Sequence, residues 1–187
     1  MCHNKCVQIH RDAQHWCELV GARVPVDERE RESIEKFLAL AHVLADPFNE
    51  HADLVHITAS AIVVSEAGDK VALHMHKRLN MWLQPGGHIE AGETAAQGAL
   101  REAEEEIGLP VRHESDGGVF VHVDVHAGPK GHTHLDLRYV VRAPDVAPAP
   151  AEGESQLVRW FEWVEAEAIA DVGLLGGLRA TKALLGL

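Results

Sequence analysis

Gly87-His-Ile-Glu-Ala-Gly-Glu93, Thr94-Ala-Ala-Gln-Gly-Ala-Leu100 and Arg101-Glu-Ala-Glu-Glu-Glu-Ile-Gly-Leu109 form the most informative stretch of the chain. Thr94 and Gln97 have the spacing of a capping box, in which each side chain satisfies a backbone N–H at the start of a helix. Ala95, Ala96, Ala99, Leu100 and Ala103 favour the helix that follows. Gly108 stands where a left-handed C-terminal cap belongs, and Pro110 comes soon after. The spacing predicts a helix over about residues 95–107. On it Glu102, Glu105 and Glu106 fall at i, i+3 and i+4 and share one face. Three carboxylates on one face repel each other, and Arg101 is the only cation nearby. A hard divalent cation takes oxygen ligands of this kind and would relieve the repulsion. Taken alone, the three glutamates also read as a solvated acidic face.

The frame around them decides between the two readings. The stretch fits G-x5-E-x7-R-E-U-x-E-E-x-G-U, where U is a bulky apolar residue, with Ala103 as the one soft position. So many fixed residues at set distances rarely coincide by chance. This pattern is the signature of the Nudix hydrolases, and the chain resembles that family closely over the signature and more loosely over residues 54–187.

The resemblance implies an α/β (α+β) fold, an α/β/α sandwich with a mixed β-sheet and the signature as a loop-helix-loop at one side. It implies that Glu102, Glu105 and Glu106 hold Mg²⁺ or Mn²⁺ together with the backbone carbonyl of Gly87. Glu93 and Arg101 carry over as orienting residues or as part of the metal's outer shell. The implied activity is hydrolysis of a diphosphate linkage, with water attacking phosphorus in line. Metal neutralises the phosphate charge and acidifies a water, and a carboxylate takes the proton. Glu105 is the first candidate for that base. Glu152 and Glu154 are the alternative, because some relatives place the base in the loop before the last strand. A solvated loop is the plainer reading of those two. Relatives that cleave ADP-ribose often carry a proline some way beyond the signature, and relatives that cleave diadenosine polyphosphates a tyrosine near there. This chain has Asp124, Val125 and His126 in that region, and its one tyrosine, Tyr139, lies further on. Neither marker is present.

Working outward, Trp82-Leu-Gln-Pro-Gly-Gly-His88 leads into the signature. Pro85-Gly86-Gly87 lets the backbone approach a ligand or metal closely. Gln84 could contact phosphate or base. Trp82 could stack on a base or serve as a core residue. His74, His76, Lys77 and Arg78 are further cations close to this loop. Beyond the signature, residues 119–126 and 133–141 alternate, with Gly128-Pro-Lys-Gly131 between them, and predict a hairpin. Val121, Val123 and Val125 point one way, with Leu135, Leu137 and Tyr139 on the partner strand. His122, Asp124 and His126 point the other way, with His132, His134, Asp136 and Arg138. That polar face is either a His-rich solvent face or a border of the active site. In the second case His122, His134 and Arg138 bind phosphate, or His and Asp hold another metal.

Residues 55–64 and 71–75 have strand composition, with Glu66-Ala-Gly-Asp69 as a turn between them. Residues 143–156 read as a loop, 157–163 as a last strand, and 165–170 and 174–185 as short helices. Residues from about 9 to 46 read as helical, with Ile34, Phe37, Leu38, Ala41 and Leu44 at helical spacing and Asp46-Pro47 as the stop. The chain thus divides into a helical N-terminal extension, 1–52, and a catalytic domain, 53–187.

The chain has 187 residues, 46% of them hydrophobic, and a formal net charge of −12. That length suits one domain with an extension. An acidic chain is poorly suited to duplex nucleic acid. No apolar run is long enough to cross a bilayer, and residues 1–6 lack the apolar stretch of a secretory signal. A soluble cytoplasmic protein is expected. Cys2, Cys6 and Cys17 are odd in number, against a disulfide framework. With His3, His10 and His15 they raise the idea of zinc, but the spacing matches no familiar pattern, and ordinary thiols are the preferred reading.

The leading expectation is a metal-dependent pyrophosphohydrolase. Its substrate would be a small nucleoside diphosphate derivative: an NDP-sugar, an ADP-ribose-like compound or a nucleoside triphosphate. Many relatives dimerise, so a homodimer is expected. Two alternatives stand. One is a non-enzymatic nucleotide-binding or regulatory domain of the same fold, although such domains typically lose metal-binding glutamates. The other is a diphosphate isomerase, although the cysteine such enzymes use would have to come from the N-terminal extension.

Overall fold

The computed structural model describes residues 13–187. Cys2, His3, Cys6 and His10 lie outside the described residues, as does the start of the expected helical stretch. Its remainder divides into two helices, α1 (Ala13–Gly21) and α2 (Glu28–Ala41). The break has a local cause. Pro25 lacks the N–H that a helix interior needs. Asp27 then caps α2, accepting from the Glu30 backbone N–H at 2.9 Å.

The rest alternates strand and helix: β1 (Val55–Ser65), β2 (Lys70–His76), β3 (Met81–Leu83), β4 (Gly86–His88), α3 (Ala95–Ile107), β5 (Val119–Ala127), β6 (Thr133–Ala143), β7 (Val158–Glu162), α4 (Trp163–Ile169) and α5 (Val172–Leu185). The seven strands form one mixed sheet of order β3-β2-β1-β6-β5, with β4 paired to β1 and β7 to β2. Only β1 and β6 run parallel, in register from Val55–Thr133 to Ser65–Ala143. β1 changes partner along its length. Val63 and Val64 pair with β2, whereas Thr58, Ala59 and Ser60 pair with β4. The sheet therefore forks at Ser60. Strands β3 and β4 are three residues each, and their Gly and Pro content hid them within what reads as a loop.

Helices cover both faces. The alanines of α3 (Ala95, Ala99, Ala103) are fully buried against Ile57, Ala59, Leu135 and Leu137. Their small side chains let the helix sit close to the sheet. On the other face Leu174 and Leu178 of α5 pack with Ile62, Val64, Val140 and Phe161. A β-bulge between Phe120 and His122 shifts the register of the hairpin. Val121 accordingly joins the α5-side cluster, while Val123 stays on the α3 side, contrary to the simple alternation.

Helix α2 packs along β5, the strand at the end of the sheet, and α1 packs on α2. Glu30 is fully buried there and accepts from the Val123 backbone N–H at 3.2 Å. Ser33 Oγ accepts from Val125 N–H at 3.1 Å, and Arg23 donates to the Val121 carbonyl. These side chains satisfy edge groups that would otherwise be open to another strand. No helix among the described residues is long and apolar enough to cross a membrane.

Candidate active site

The capping box predicted for α3 is present on both sides. Thr94 Oγ1 accepts from Gln97 N–H at 3.2 Å, and Gln97 Oε1 accepts from Thr94 N–H at 2.8 Å. Gly108 closes the helix in the left-handed region (φ 68°). The helix so fixed turns Glu102 and Glu106 toward the Gly86-Gly87 strand. The Gly86 N–H donates to Glu106 Oε2 at 2.9 Å. A Cβ on Gly87 would meet Glu102 Oε1 at 2.7 Å, so an added side chain would push that carboxylate aside.

Arg101 organises the cluster. Its guanidinium donates to Glu93 Oε1 at 2.9 Å, to Glu102 Oε1 at 2.7 Å, to Glu105 Oε2 at 3.3 Å and to the His88 carbonyl at 2.8 Å. Glu93 in turn accepts from Glu90 N–H at 2.9 Å. Arg101 thus pairs with Glu93 and with Glu102 and Glu105.

One cation among four carboxylates leaves the charge unbalanced. Burial pushes the Glu106 carboxyl up to about 8, and the charges of Glu102, Glu154 and Glu105 add to the rise. Burial also raises Glu102, against the pull of Arg101. His74 Nδ1 stands 3.6 Å from Glu106 Oε1. It does not supply the missing charge, because burial first and then His76 hold His74 down to about 4. Glu105 is half exposed at 52%. Buried carboxylates beside a close-lying backbone strand are the donor set that suits a hard divalent cation.

Glu106 and Gly87 also border a cavity of about 480 Å³ in the fork of the sheet. Its walls include Gln84, His74, Arg78, Ser60, His134 and Asp136. Gln84 Oε1 is buried there without a hydrogen-bond partner. The size falls within the range of small-molecule sites, and a few polar groups converge on it. Asp136 is held by Ser60 Oγ at 2.7 Å, Thr58 Oγ1 at 3.2 Å and Arg138 Nε at 3.1 Å.

The other sequence candidates are dispersed. Trp82 packs edge-on against Phe161, with ring centroids 4.9 Å apart, and does not line the cavity. His122 and Arg138 are 0% and 3% exposed. They lie under α5, where Arg138 donates to the Gly173 carbonyl and to Asp124 at 3.3 Å. Arg29 of α2 donates to Asp124 at 2.8 Å. Burial alone would raise the Asp124 carboxyl, but the His126 hydrogen bond, Arg138 and Arg29 hold it well below the usual range. The middle of the polar hairpin face is thus neither solvent-exposed nor open to the cavity; it is an interior ion network. Asp136 and the outer end, with His126 and His134, reach the cavity wall. Glu152 is exposed, whereas Glu154 lies near enough to raise Glu102 and Glu106 by its charge. Cys17 sits in α1, partly packed on the core, and no cysteine among the described residues lines the cavity.

Residues 54–178 match the family model of the NUDIX domain. The Escherichia coli K12 phosphatase NudJ is 27% identical over 115 residues, which cover 61% of this chain and 71% of that protein. A NUDIX-family hydrolase from Clostridium perfringens is similar in structure, with a TM-score of 0.61, 27% identity, and coverage of 70% of this chain and 97% of that one. An Ap4A hydrolase from C. elegans shares the fold at a TM-score of 0.57 and 22% identity, covering 70% of this chain and 98% of that one. The chain belongs to the Nudix family, and it is a hydrolase of phosphoric anhydride bonds.

Proposed function

We propose that this hydrolase is a Mg²⁺- or Mn²⁺-dependent pyrophosphohydrolase of nucleoside diphosphate derivatives: NDP-sugars, ADP-ribose-like compounds or nucleoside triphosphates. One observation carries the reading. Glu106, the most strongly perturbed of the unbalanced carboxylates of α3, stands at the wall of a nucleotide-sized cavity whose other polar groups include an unpartnered Gln84 oxygen and Arg78. Glu102, Glu105, Glu106 and the Gly87 carbonyl would hold the ion. When bound, it supplies charge neutralisation at the diphosphate and acidifies a water.

The chain's own groups do the rest. Arg101 fixes Glu93, Glu102 and Glu105 relative to one another, so the donor set is formed in advance. Glu105 is the most exposed of the three proposed carboxylate ligands and is our choice for the base that accepts the water's proton. Glu154 is the second candidate, because its loop approaches the cluster. Gln84 and Arg78 would orient the substrate. His122, Arg138 and Trp82 act behind this wall, by holding Asp136 and the sheet in place. The substrate is a free small molecule, and the acidic chain has no use for duplex nucleic acid. The working form would be a homodimer in the cytoplasm.

A substrate panel tests this reading. Nucleoside triphosphates, NDP-sugars, ADP-ribose and dinucleoside polyphosphates are incubated with Mg²⁺ or Mn²⁺, and the products are separated by chromatography. Metal-dependent cleavage at the diphosphate of one class supports the reading and names the class. Turnover that persists in excess chelator, or cleavage only outside the diphosphate, would defeat it.

A further inference from the structure

We propose that His56, His88, His132 and His134 form a second metal centre, for a borderline transition ion such as Zn²⁺, distinct from the carboxylates of α3. One imidazole nitrogen from each of the four lies within 4.8 Å of the others. No other group of three or more His, Cys, Asp or Glu among the described residues gathers its ligand atoms in this way.

The fold brings them together from four separate segments. His56 of β1 and His134 of β6 are paired in the parallel register. His88 ends β4, whose partner Thr58 is two residues along β1 from His56. His132 closes the turn between β5 and β6. The ring centroids of His88, His132 and His134 each lie 5.0–5.1 Å from that of His56.

Three features point to a ligand rather than to ordinary ring packing. The Nε2 atoms of His56, His88 and His134 are all buried with no hydrogen-bond partner. A buried nitrogen without a partner is costly, and such orphans are rare in native proteins. Behind two of the rings, a second group occupies the other nitrogen. His56 Nδ1 lies 3.4 Å from the Asp53 carbonyl, and His88 Nδ1 lies 3.4 Å from Glu50 Oε1. Backing of Nδ1 by a carbonyl or carboxylate fixes the tautomer that leaves Nε2 as a lone-pair donor, the arrangement found behind metal-bound histidines. The ligand set is also chemically selective. Four imidazoles suit Zn²⁺, Ni²⁺, Co²⁺ or Cu²⁺, whereas Mg²⁺ takes oxygen.

Four protein ligands make a closed site, which contributes folding energy rather than an open position for chemistry. Tetrahedral zinc needs nitrogens about 3.3 Å apart, so small ring rotations would complete it. The ion would tie β1, the β5–β6 turn and β4 together. Since His88 follows Gly87, it would also stiffen the strand that faces the α3 carboxylates.

The test uses untagged, full-length protein with Cys2, Cys6 and Cys17 changed to serine, which removes thiolate ligands. Zn²⁺ binding is followed by calorimetry, and the zinc-loaded sample by X-ray absorption. The expected result is one tightly held Zn²⁺ with nitrogen-only ligation and a raised melting temperature. His56→Gln and His132→Gln should each weaken binding at least tenfold. His132 is only half buried, so its variant should fold even if the His56 variant does not. Glu105→Gln should bind Zn²⁺ as the parent does, which separates this centre from the hydrolytic one. Oxygen-dominated ligation, or Zn²⁺ affinity untouched by His132→Gln, would overturn the proposal.

Discussion

The face of α3 sets Glu102, Glu105 and Glu106 against Arg101, while the β5–β6 face sets Asp124 and Asp136 against Arg29 and Arg138. Both are dense clusters of charge on adjoining faces of the same fold. They differ in balance and in cover. On the hairpin face each carboxylate has an arginine, and α5 closes over the pairs. The charges of that network balance. On α3 one guanidinium is shared among the carboxylates, and burial drives Glu106 toward its neutral form. That cluster keeps an excess of negative charge, which the proposed cation would balance. Local charge balance, not the number of charged residues, separates a ligand site from an interior network.

The comparison can be broken most sharply by single substitutions. Glu105→Gln should lower kcat by about a thousandfold while leaving the melting temperature within a few degrees, because it removes the proposed base and no packing. Steady-state kinetics and circular dichroism together check this. Near-normal turnover would remove Glu105 from the mechanism and move attention to Glu154. Arg138→Met should do the reverse. It leaves Asp124 and Asp136 buried with less compensation and should cost about 3–5 kcal/mol of stability by denaturant titration. The KM of the folded fraction should hold. A raised KM with unchanged stability would return Arg138 to the substrate.

pH sharpens the same contrast. In the proposed site the metal takes the ionised Glu106 carboxylate, and that group is protonated below about 8. Apparent Mg²⁺ affinity should therefore fall by up to about tenfold per pH unit as pH drops below 8. Without metal the linkage runs the other way. A carboxyl raised above its unfolded value stabilises the fold below about pH 4.5 and loses that contribution as pH rises toward 8. Metal-free protein should thus melt lower at pH 8 than at pH 6, and Mg²⁺ should reverse the loss. A flat affinity profile between pH 6.5 and 8.5 would mean that Glu106 is not a ligand.

The smallest effect expected is also the most local. Gly86→Ala would drive a Cβ to 2.3 Å from Ser60 Cβ and 2.8 Å from its Cα, and should cost about 1–3 kcal/mol of stability. Gly87→Ala presses only on the flexible end of Glu102. It should spare stability and weaken metal binding instead. If the two variants behaved alike, the close approach of Gly87 to Glu102 would have no separate role.

Much of this was legible in the sequence because it is local. The helix of the signature follows from Thr94, Gln97 and Gly108, all within the element they bound. Its carboxylate face follows from spacing alone. The hairpin also followed from alternation, but the bulge at Val121 did not, since nothing in the strand marks which residue will be extra. The cover over the polar hairpin face is a tertiary fact. A clue did exist in α5, where Gly173, Gly176 and Gly177 weaken a helix without an obvious local reason. A Cβ at Gly176 would meet His122 Nε2 at 2.5 Å, and one at Gly177 would meet Arg138 at 3.3 Å. Small residues there make room for the buried network. The histidine cluster was out of reach, because the parallel pairing of His56 with His134 joins strands far apart in the chain.

Mn²⁺ binding followed by electron paramagnetic resonance tests the central claim most directly. Titrations at pH 8 would compare the parent protein with Glu106→Gln and Arg138→Met. The account predicts that Glu106→Gln binds Mn²⁺ at least tenfold more weakly, while Arg138→Met binds it as the parent does. Equal affinity in the parent and in Glu106→Gln would contradict it, because the α3 carboxylates would then not be what holds the ion.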